Sequence, residues 1–444
     1  MENKKKISGF SKLSKKDKIS WLAQNFLYTN PIDLMKDFAS FWHDNVEAQK
    51  VFEGFSENTI SNFHMPFGVA PNFLINGKDY VIPMVIEESS VVAACSNAAK
   101  FWYERGGFKA EVLNTVKVGH VHFTYNGDNQ KLKDFFPTIK PTLIEGVKHI
   151  TQNMEARGGG VLDIELLDFT KEEEGLYQLK CTFETVDSMG ANFINSCLEE
   201  FGQILVNEIQ LSTHFTLKEK DVTIIMCILS NFTPECVVKA EVECAIEELG
   251  YFNEGAMKPE EFAYKFSKAV RIAEIDSYRA TTHNKGVMNG IDAVIIATGN
   301  DFRAVEACAH TYAAKDGFYK SLTHCEIKDG KLNFSITIPL ALGTVGGLTG
   351  LHPLAKKSME LMGNPNAKEL MKIVACVGLA QNFAALKSLT TTGIQAGHMK
   401  MHLNNILSSF QATEEEIEKA LVYFTDKIVS FSAVREFLNV LRTS

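Results

Sequence analysis

None of the nine cysteines is spaced C-x-x-C with another. An odd, scattered set of thiols fits a reducing cytoplasm better than a disulfide framework or a zinc site. The chain also has no apolar run long enough to span a bilayer. Its N-terminus, MENKKKISGF, is basic, but no apolar segment follows as in a secretory signal. Positive charge is in deficit. The formal net charge of -9 argues against broad nucleic-acid binding while leaving room for basic spots that hold phosphates. No G-x-G-x-x-G follows a strand, so an ordinary Rossmann domain is not supported. H-E-x-x-H is missing as well. His398 and His402 lie one helical turn apart, and His120 and His122 share a strand face, but neither pair has an obvious third ligand, so no metal is expected. What is left is a 444-residue chain, long enough for two or three domains with sizeable cores.

The richest stretch is RATTHNKGVMNGIDAVIIATGNDFR, Arg279 to Arg303. Its central run, Ala293 to Ala297, is too short for an ordinary helix and rich in β-branched residues, which predicts a buried strand. Lys285 then stands on the glycine-rich entry and Asp301 on the exit, a cation and a carboxylate at the two mouths of rigid backbone. Taken singly, these residues have plainer readings. Asn300 or Asp301 can cap the helix that Phe302 opens, Lys285 can be a solvated surface lysine, and Arg279 can pair with a nearby acid.

Elsewhere the signals are local. Asn76-Gly77 between two apolar runs marks a hairpin. The second run ends at Glu87 and Glu88, just before a helix whose dipole a carboxylate can simply favour. From Val116 to residue 225 the pattern reads strand, helix, strand, strand, amphipathic helix, strand, which is the ferredoxin-like order. Inside it, Asp187-Ser-Met-Gly-Ala-Asn192 precedes a helix. Small residues there let backbone approach a ligand and free amides favour phosphate, although glycine-rich helix starts are common. Leu342 to Ala355, LGTVGGLTGLHPLA, is a second glycine-rich element, by spacing alone equally a tight loop where two backbones meet. Asn364-Pro365 opens a long helix, apolar on most sides and therefore buried or at a subunit interface. Thr413 and Glu416 form a capping box for a last amphipathic helix.

Read as a block, Tyr278 to Ala307 resembles, nearly without gaps, the catalytic core of the 3-hydroxy-3-methylglutaryl-coenzyme A (HMG-CoA) reductase family in its bacterial, class II form. Asp187 to Asn192 has the form of that family's D-x-M-G-x-N element, and the likeness covers essentially the full chain. It implies an α/β (α+β) enzyme with three parts. These are a large, mainly helical HMG-CoA-binding domain split over 1–115 and 226–395, an inserted ferredoxin-like NAD(P)-binding domain over 116–225, and a C-terminal helical flap over 396–444. The implied assembly is a cytoplasmic homodimer with active sites between subunits, without nucleic acid or membrane as partners. The implied reaction is the two-step, four-electron reduction of HMG-CoA to mevalonate and free coenzyme A with two NAD(P)H.

The resemblance assigns catalysis to Glu88, Lys285, Asp301 and His398. Lys285 would steady the oxyanion, Asp301 would keep it charged, His398 would protonate the leaving thiolate, and Glu88 would donate the proton of the second step. Ser90, Arg279, Thr282 and Asn289 would hold the substrate, Arg279 by clamping its free carboxylate. Asp187, Met189, Gly190, Ala191 and Asn192 would hold the cofactor, and lysines around Lys12 would approach the coenzyme A phosphates. Thr151 falls where relatives that use NADH place an Asp. A neutral residue there, with Lys148 and His149 close by, leaves room for a 2′-phosphate, so NADPH is expected ahead of NADH. A reductase of another acyl-coenzyme A and a silent coenzyme A-binding sensor are the alternatives; the intact catalytic set argues against silence.

Overall fold

The computed structural model describes residues 5–391, 403–425, 427 and 429–443. Three short helices lead, α1 (Lys15–Leu22), α2 (Pro31–Ala39) and α3 (Val46–Glu53). Each opens on a polar N-cap, Ser14, Asn30 and Asn45, whose side chain accepts from a first-turn amide. Strands β1 (Phe67–Ile75) and β2 (Lys78–Val85) then form an antiparallel hairpin. Asn76 and Gly77 turn it with φ of 50° and 79°, the left-handed pair that a type I′ turn demands. After β2 the chain passes Glu88 and enters α4 (Val91–Tyr103).

A second antiparallel sheet has the order β3-β8-β10-β9, built from Lys109–Val112, Val237–Ala245, Lys331–Pro339 and Thr323–Lys328 respectively. Against it and the hairpin lie α8 (Pro259–Ile275), α9 (Ser277–Ala297), α10 (Phe302–Ala313) and α13 (Ala367–Thr390). Among the described residues, α13 alone is long and apolar enough to cross a membrane, yet two thirds of that window is buried inside the protein. It is the central core helix. Phe383 on α13 is fully buried and packs its ring 5.1 Å from both Phe101 and Trp102 and 5.4 Å from Phe266. Phe383→Ala therefore empties the middle of the aromatic cluster. The expected loss is about 3–5 kcal/mol, read as a lowered urea midpoint with an unchanged slope.

Between β3 and β8 sits the insert. It contains β4 (Lys117–Tyr125), α5 (Asn129–Gly146), α6 (Lys148–Glu155), β5 (Gly160–Asp168), β6 (Leu176–Glu184), α7 (Ala191–Leu211) and β7 (Val222–Leu229). Its sheet order, β5-β6-β4-β7, is antiparallel throughout, which is ferredoxin-like topology with two helices in the first crossover. Phe123, Leu179, Phe183, Leu198 and Phe201 give it a core of its own. The last strand ends at Leu229, beyond the boundary expected at residue 225. Helices α11 (Gly347–Leu351) and α12 (Pro353–Leu361) precede α13. Near the C-terminus α14 (Glu414–Tyr423) starts on the Thr413/Glu416 capping box and, with α15 (Phe431–Thr443), closes a small separate core around Leu407, Ala420 and Val434.

One expectation is overturned. Ala293 to Ala297 is not a strand but the end of the 21-residue helix α9. Ile291, Ala293, Val294, Ile295 and Ala297 are all buried, and the run Ala293 to Ala297 itself holds no polar residue to mark the helical period. Its glycines are not loop signals either. A Cβ on Gly290 would lie 3.0 Å from the Val377 carbonyl oxygen, and one on Gly378 would lie 2.8 Å from Ile291 Cγ1. The two glycines let α9 and α13 cross in close contact.

Candidate active site

Two neighbouring cavities hold six of the sixteen candidate residues, Glu88, Lys285, Asn289, Asp301, Met189 and Ala191. The first, of about 270 Å³, lies between the β2–α4 connection and the helices α9 and α10. At its rim the Lys285 ammonium donates to Glu88 Oε2 at 2.7 Å, with the two side chains 60% and 39% exposed. The pair is open enough for a substrate to slip between its members. Below it, Asn289, Asp292 and Ile296 project from α9, and Phe302, Glu306 and His310 from α10. The spacing i, i+3, i+7 on one helix and i, i+4, i+8 on the other puts each set on a single face. His310 Nδ1 is fixed 2.7 Å from the Tyr319 hydroxyl.

The backbone beneath Lys285 is pinned by a buried polar cluster. His283 Nε2 meets Thr323 Oγ1 at 2.6 Å, Thr323 donates to Asn382 Oδ1 at 3.1 Å, and Asn382 Nδ2 donates back to the His283 carbonyl at 3.1 Å. Asn284 holds the segment that leads into β9, donating to Lys320 O and accepting from Leu322 N. Burial pushes the His283 imidazole down to about 3, so it stays neutral and serves as scaffold. Arg279 and Thr282 sit on the same helix upstream, the first half-buried and the second exposed. Desolvation pulls the Arg279 guanidinium below its usual pKa. Ser90 is the N-cap of α4 at φ 74°, and its hydroxyl donates to the Ser89 carbonyl. None of these three lines the cavity.

Asp301 does not join Lys285 within one chain. Twelve residues of continuous helix run from Lys285 to Ala297, roughly 18 Å at 1.5 Å per residue. Asp301 follows as the N-cap of α10, accepting from Arg303 N and Ala304 N. It lines the second cavity, about 290 Å³, between the insert and the main body. The strand reading had placed the cation and the acid at two ends of a short segment, and the long helix separates them.

The second cavity brings Asp301 together with Met189, Ala191 and a residue that sequence reasoning missed, Lys117. Lys117 is buried at the start of β4, donating to Ser188 O at 2.8 Å and to Thr185 Oγ1, and desolvation lowers its pKa. Gly190 caps α7 at φ 87° without a side-chain cap, so first-turn amides of a 21-residue helix are left for an anion. A Cβ there would also strike Thr185 Cγ2 at 2.5 Å. Asn192 is exposed beside it.

Asp187 is turned away from that space. Its Oδ1 accepts from Ala367 N, the first amide of α13, at 2.8 Å, while its carbonyl accepts from Thr344 N at 2.8 Å. Leu342 to Ala355 is thus, in part, the tight loop where two backbones meet. Lys148 pairs with Glu145, and His149 Nδ1 lies 3.0 Å from Gly146 O. Thr151 is buried, its hydroxyl donating to Glu155 at 2.6 Å, so this residue faces the interior rather than an open ribose site. These three line neither cavity. His398 lies outside the described residues. Asp292, Glu306 and His310 were also missed; helical spacing would have exposed them had α9 been read as a helix.

The family model described as hydroxymethylglutaryl-coenzyme A reductase matches residues 21–403. The 3-hydroxy-3-methylglutaryl-coenzyme A reductase of Archaeoglobus fulgidus is 35% identical over 99% of this chain and 95% of its own length. A probable reductase of the same name from Borreliella burgdorferi is 30% identical over 99% and 98%. Among solved structures, the class II enzyme from Streptococcus pneumoniae bound to NADPH in open conformations superposes with a TM-score of 0.70 at 34% identity, covering 87% of this chain and all of that one. Another structure of the S. pneumoniae enzyme gives 0.71 at 33% identity, covering 98% and 100%. On a match of this length and identity, the chain belongs to the hydroxymethylglutaryl-coenzyme A reductase family.

Proposed function

We propose that the protein reduces HMG-CoA to mevalonate and free coenzyme A with two NADPH, working in the cytoplasm as a homodimer. The observation that carries this reading is the Lys285–Glu88 pair at the rim of an open cavity. Reduction of a thioester to an alcohol generates negative charge on the carbonyl oxygen twice, and a fixed ammonium lowers the barrier each time. Reduced nicotinamide dinucleotide, when bound, supplies the two hydrides. The uncapped start of α7 and the buried Lys117 ammonium fit the negative charge of such a cofactor, and Met189 and Ala191 flank the space beside them.

The chain's own groups divide the rest of the work. Lys285 stabilises the oxyanion of both steps. Glu88 returns a proton to the alkoxide of the second step, and His398 protonates the departing thiolate, for which an imidazolium near neutral pH is a competent acid. Arg279 clamps the substrate carboxylate; Ser90, Thr282 and Asn289 orient its hydroxyl and carbonyl groups. Because α9 holds Lys285 and Asp301 of one chain so far apart, Lys285 is completed by Asp301 of the partner subunit. Each site then takes its substrate half from one protomer and its cofactor half from the other.

The test is product analysis with purified protein, HMG-CoA and NADPH. Two NADPH should be consumed per thioester, with mevalonate and free thiol released; no cofactor oxidation overturns the reading. In the same assay kcat/KM should favour NADPH over NADH by at least about tenfold, the worth of one contact of ~1.4 kcal/mol to the 2′-phosphate. A strong NADH preference removes the cofactor assignment.

A further inference from the structure

The cavity between the insert and the main body carries a charge that the protein leaves unanswered. Lys117 opens β4 on the same face as Gly119, Val121 and Phe123. That face lies under α7, where a Cβ on Gly119 would stand 2.9 Å from Ile194 Cγ2. Lys117 is 5% exposed and lines the cavity. An ammonium has three N–H donors. Two go to neutral oxygens, Thr185 Oγ1 and Ser188 O, and among the described residues no carboxylate forms an ion pair with it. Glu184 makes its charge felt there from farther off, but its own oxygens accept from the Thr115 hydroxyl and from Val186 N. A buried charge without a counterion is costly, and an apolar side chain would avoid that cost.

The loop that receives the ammonium is strained. Val186 is β-branched and sits at φ 51°, a left-handed conformation that such residues avoid. Strain of this kind persists only where the surroundings over-determine it, and it gathers at ligand sites. Here Ser188 O accepts from Lys117 at 2.8 Å and from the Thr185 hydroxyl at 2.6 Å, and Ser188 N donates to Thr185 O at 2.9 Å. The carbonyl is thus drawn onto the buried ammonium, and the chain passes through Met189 into the uncapped first turn of α7. Asp301, the acid of the same cavity, stands on the main-body wall and accepts from the amides of Arg303 and Ala304.

We propose that Lys117 holds the diphosphate of the cofactor, giving its third N–H to a diphosphate oxygen while it draws the Ser188 carbonyl away from that group. The inference deepens the reductase reading and rests on it for the identity of the cofactor. A carbonyl oxygen facing the diphosphate would repel it; bound to the ammonium, it leaves the start of α7 to present amides. The buried ammonium then gains the counterion that the protein does not supply. NADPH and NADH share the diphosphate, so Lys117 serves both equally and takes no part in choosing between them.

The experiment uses the full-length protein with Lys117→Met, which removes charge and donors, and Lys117→Gln, which keeps a donor for Ser188 O but no charge. Kd is measured by calorimetry, without turnover, for NADPH, NADH, 2′-phospho-ADP-ribose and adenosine 2′-phosphate. Both variants should weaken the first three alike, by at least about tenfold, and the last, which has no diphosphate, by less than about threefold. In turnover KM for NADPH should rise by the same factor, with kcat and the KM for HMG-CoA within about threefold of wild type. Inorganic pyrophosphate should displace NADPH from wild-type protein and fail to bind Lys117→Met. Unchanged Kd values overturn the proposal. So does wild-type affinity in Lys117→Gln, which would leave Lys117 with a positioning role alone, and so does equal weakening of adenosine 2′-phosphate. If neither variant folds, pyrophosphate that does not compete with NADPH on the wild type still overturns it. Wild-type protein that binds NADPH without oxidising it in the presence of HMG-CoA removes the reductase reading instead, so the two failures are told apart.

Discussion

Lys285→Ala is expected to cut reduction of the thioester and of the free aldehyde alike by at least about 10²–10³-fold, with the thermal midpoint nearly unchanged. Both parts follow from where the side chain sits. The ammonium is 60% exposed and makes one ion pair, so its removal leaves no cavity and no buried orphan charge; surface changes of this kind move stability by roughly 0.5 kcal/mol or less. Catalysis has no such margin, because negative charge forms on the same oxygen in both hydride transfers. Lys285→Arg keeps the charge but replaces a point donor by a planar fork, and it should recover only part of the rate. Normal turnover by Lys285→Ala, measured as NADPH oxidation with each substrate, would remove the central assignment.

Features set by short-range chemistry were legible in the chain. Asn76-Gly77 needs two positive φ angles, Thr413 and Glu416 cap each other, and the strand–helix alternation of the insert is periodic enough to order its sheet. Helix α9 was not legible, and the reason is physical. The run Ala293 to Ala297 holds no polar side chain, and five apolar residues, three of them β-branched, cannot be told from a strand without a longer period. That single misreading hid the face shared by Lys285, Asn289 and Asp292, and it drew Asp301 towards a lysine that the helix holds away. Lys117 was hidden for another cause. A lysine on a strand reads as a surface residue, and only the fold reveals that Thr185 and the Ser188 carbonyl receive its ammonium indoors.

Gly343→Ala tests how the two glycine-rich elements cooperate. A Cβ at 343 would stand 2.5 Å from Met189 N and 3.2 Å from the Ser188 carbonyl carbon, backbone against backbone with no flexible side chain to yield. Gly343 N also donates to Asn300 Oδ1 at 2.9 Å, and Thr344 N to Asp187 O at 2.8 Å, so the loop cannot retreat without breaking bonds on both sides. Relief must come from displacing Ser188 and Met189, and with them the start of α7 and the wall of the cavity that Asp301 lines. Overpacking of this order costs about 1–3 kcal/mol, a drop of a few degrees in Tm for a chain of this size. The larger expected effect is on cofactor binding, a KM for NADPH raised at least about tenfold, since ~1.4 kcal/mol of lost contact suffices. Gly350→Ala is the control, because nothing lies within 4 Å of a Cβ there; it should leave both quantities in place. Gly343→Ala with an unaltered KM for NADPH would mean that the contact between the Asp187–Asn192 segment and the Leu342–Ala355 loop does not shape the cofactor site.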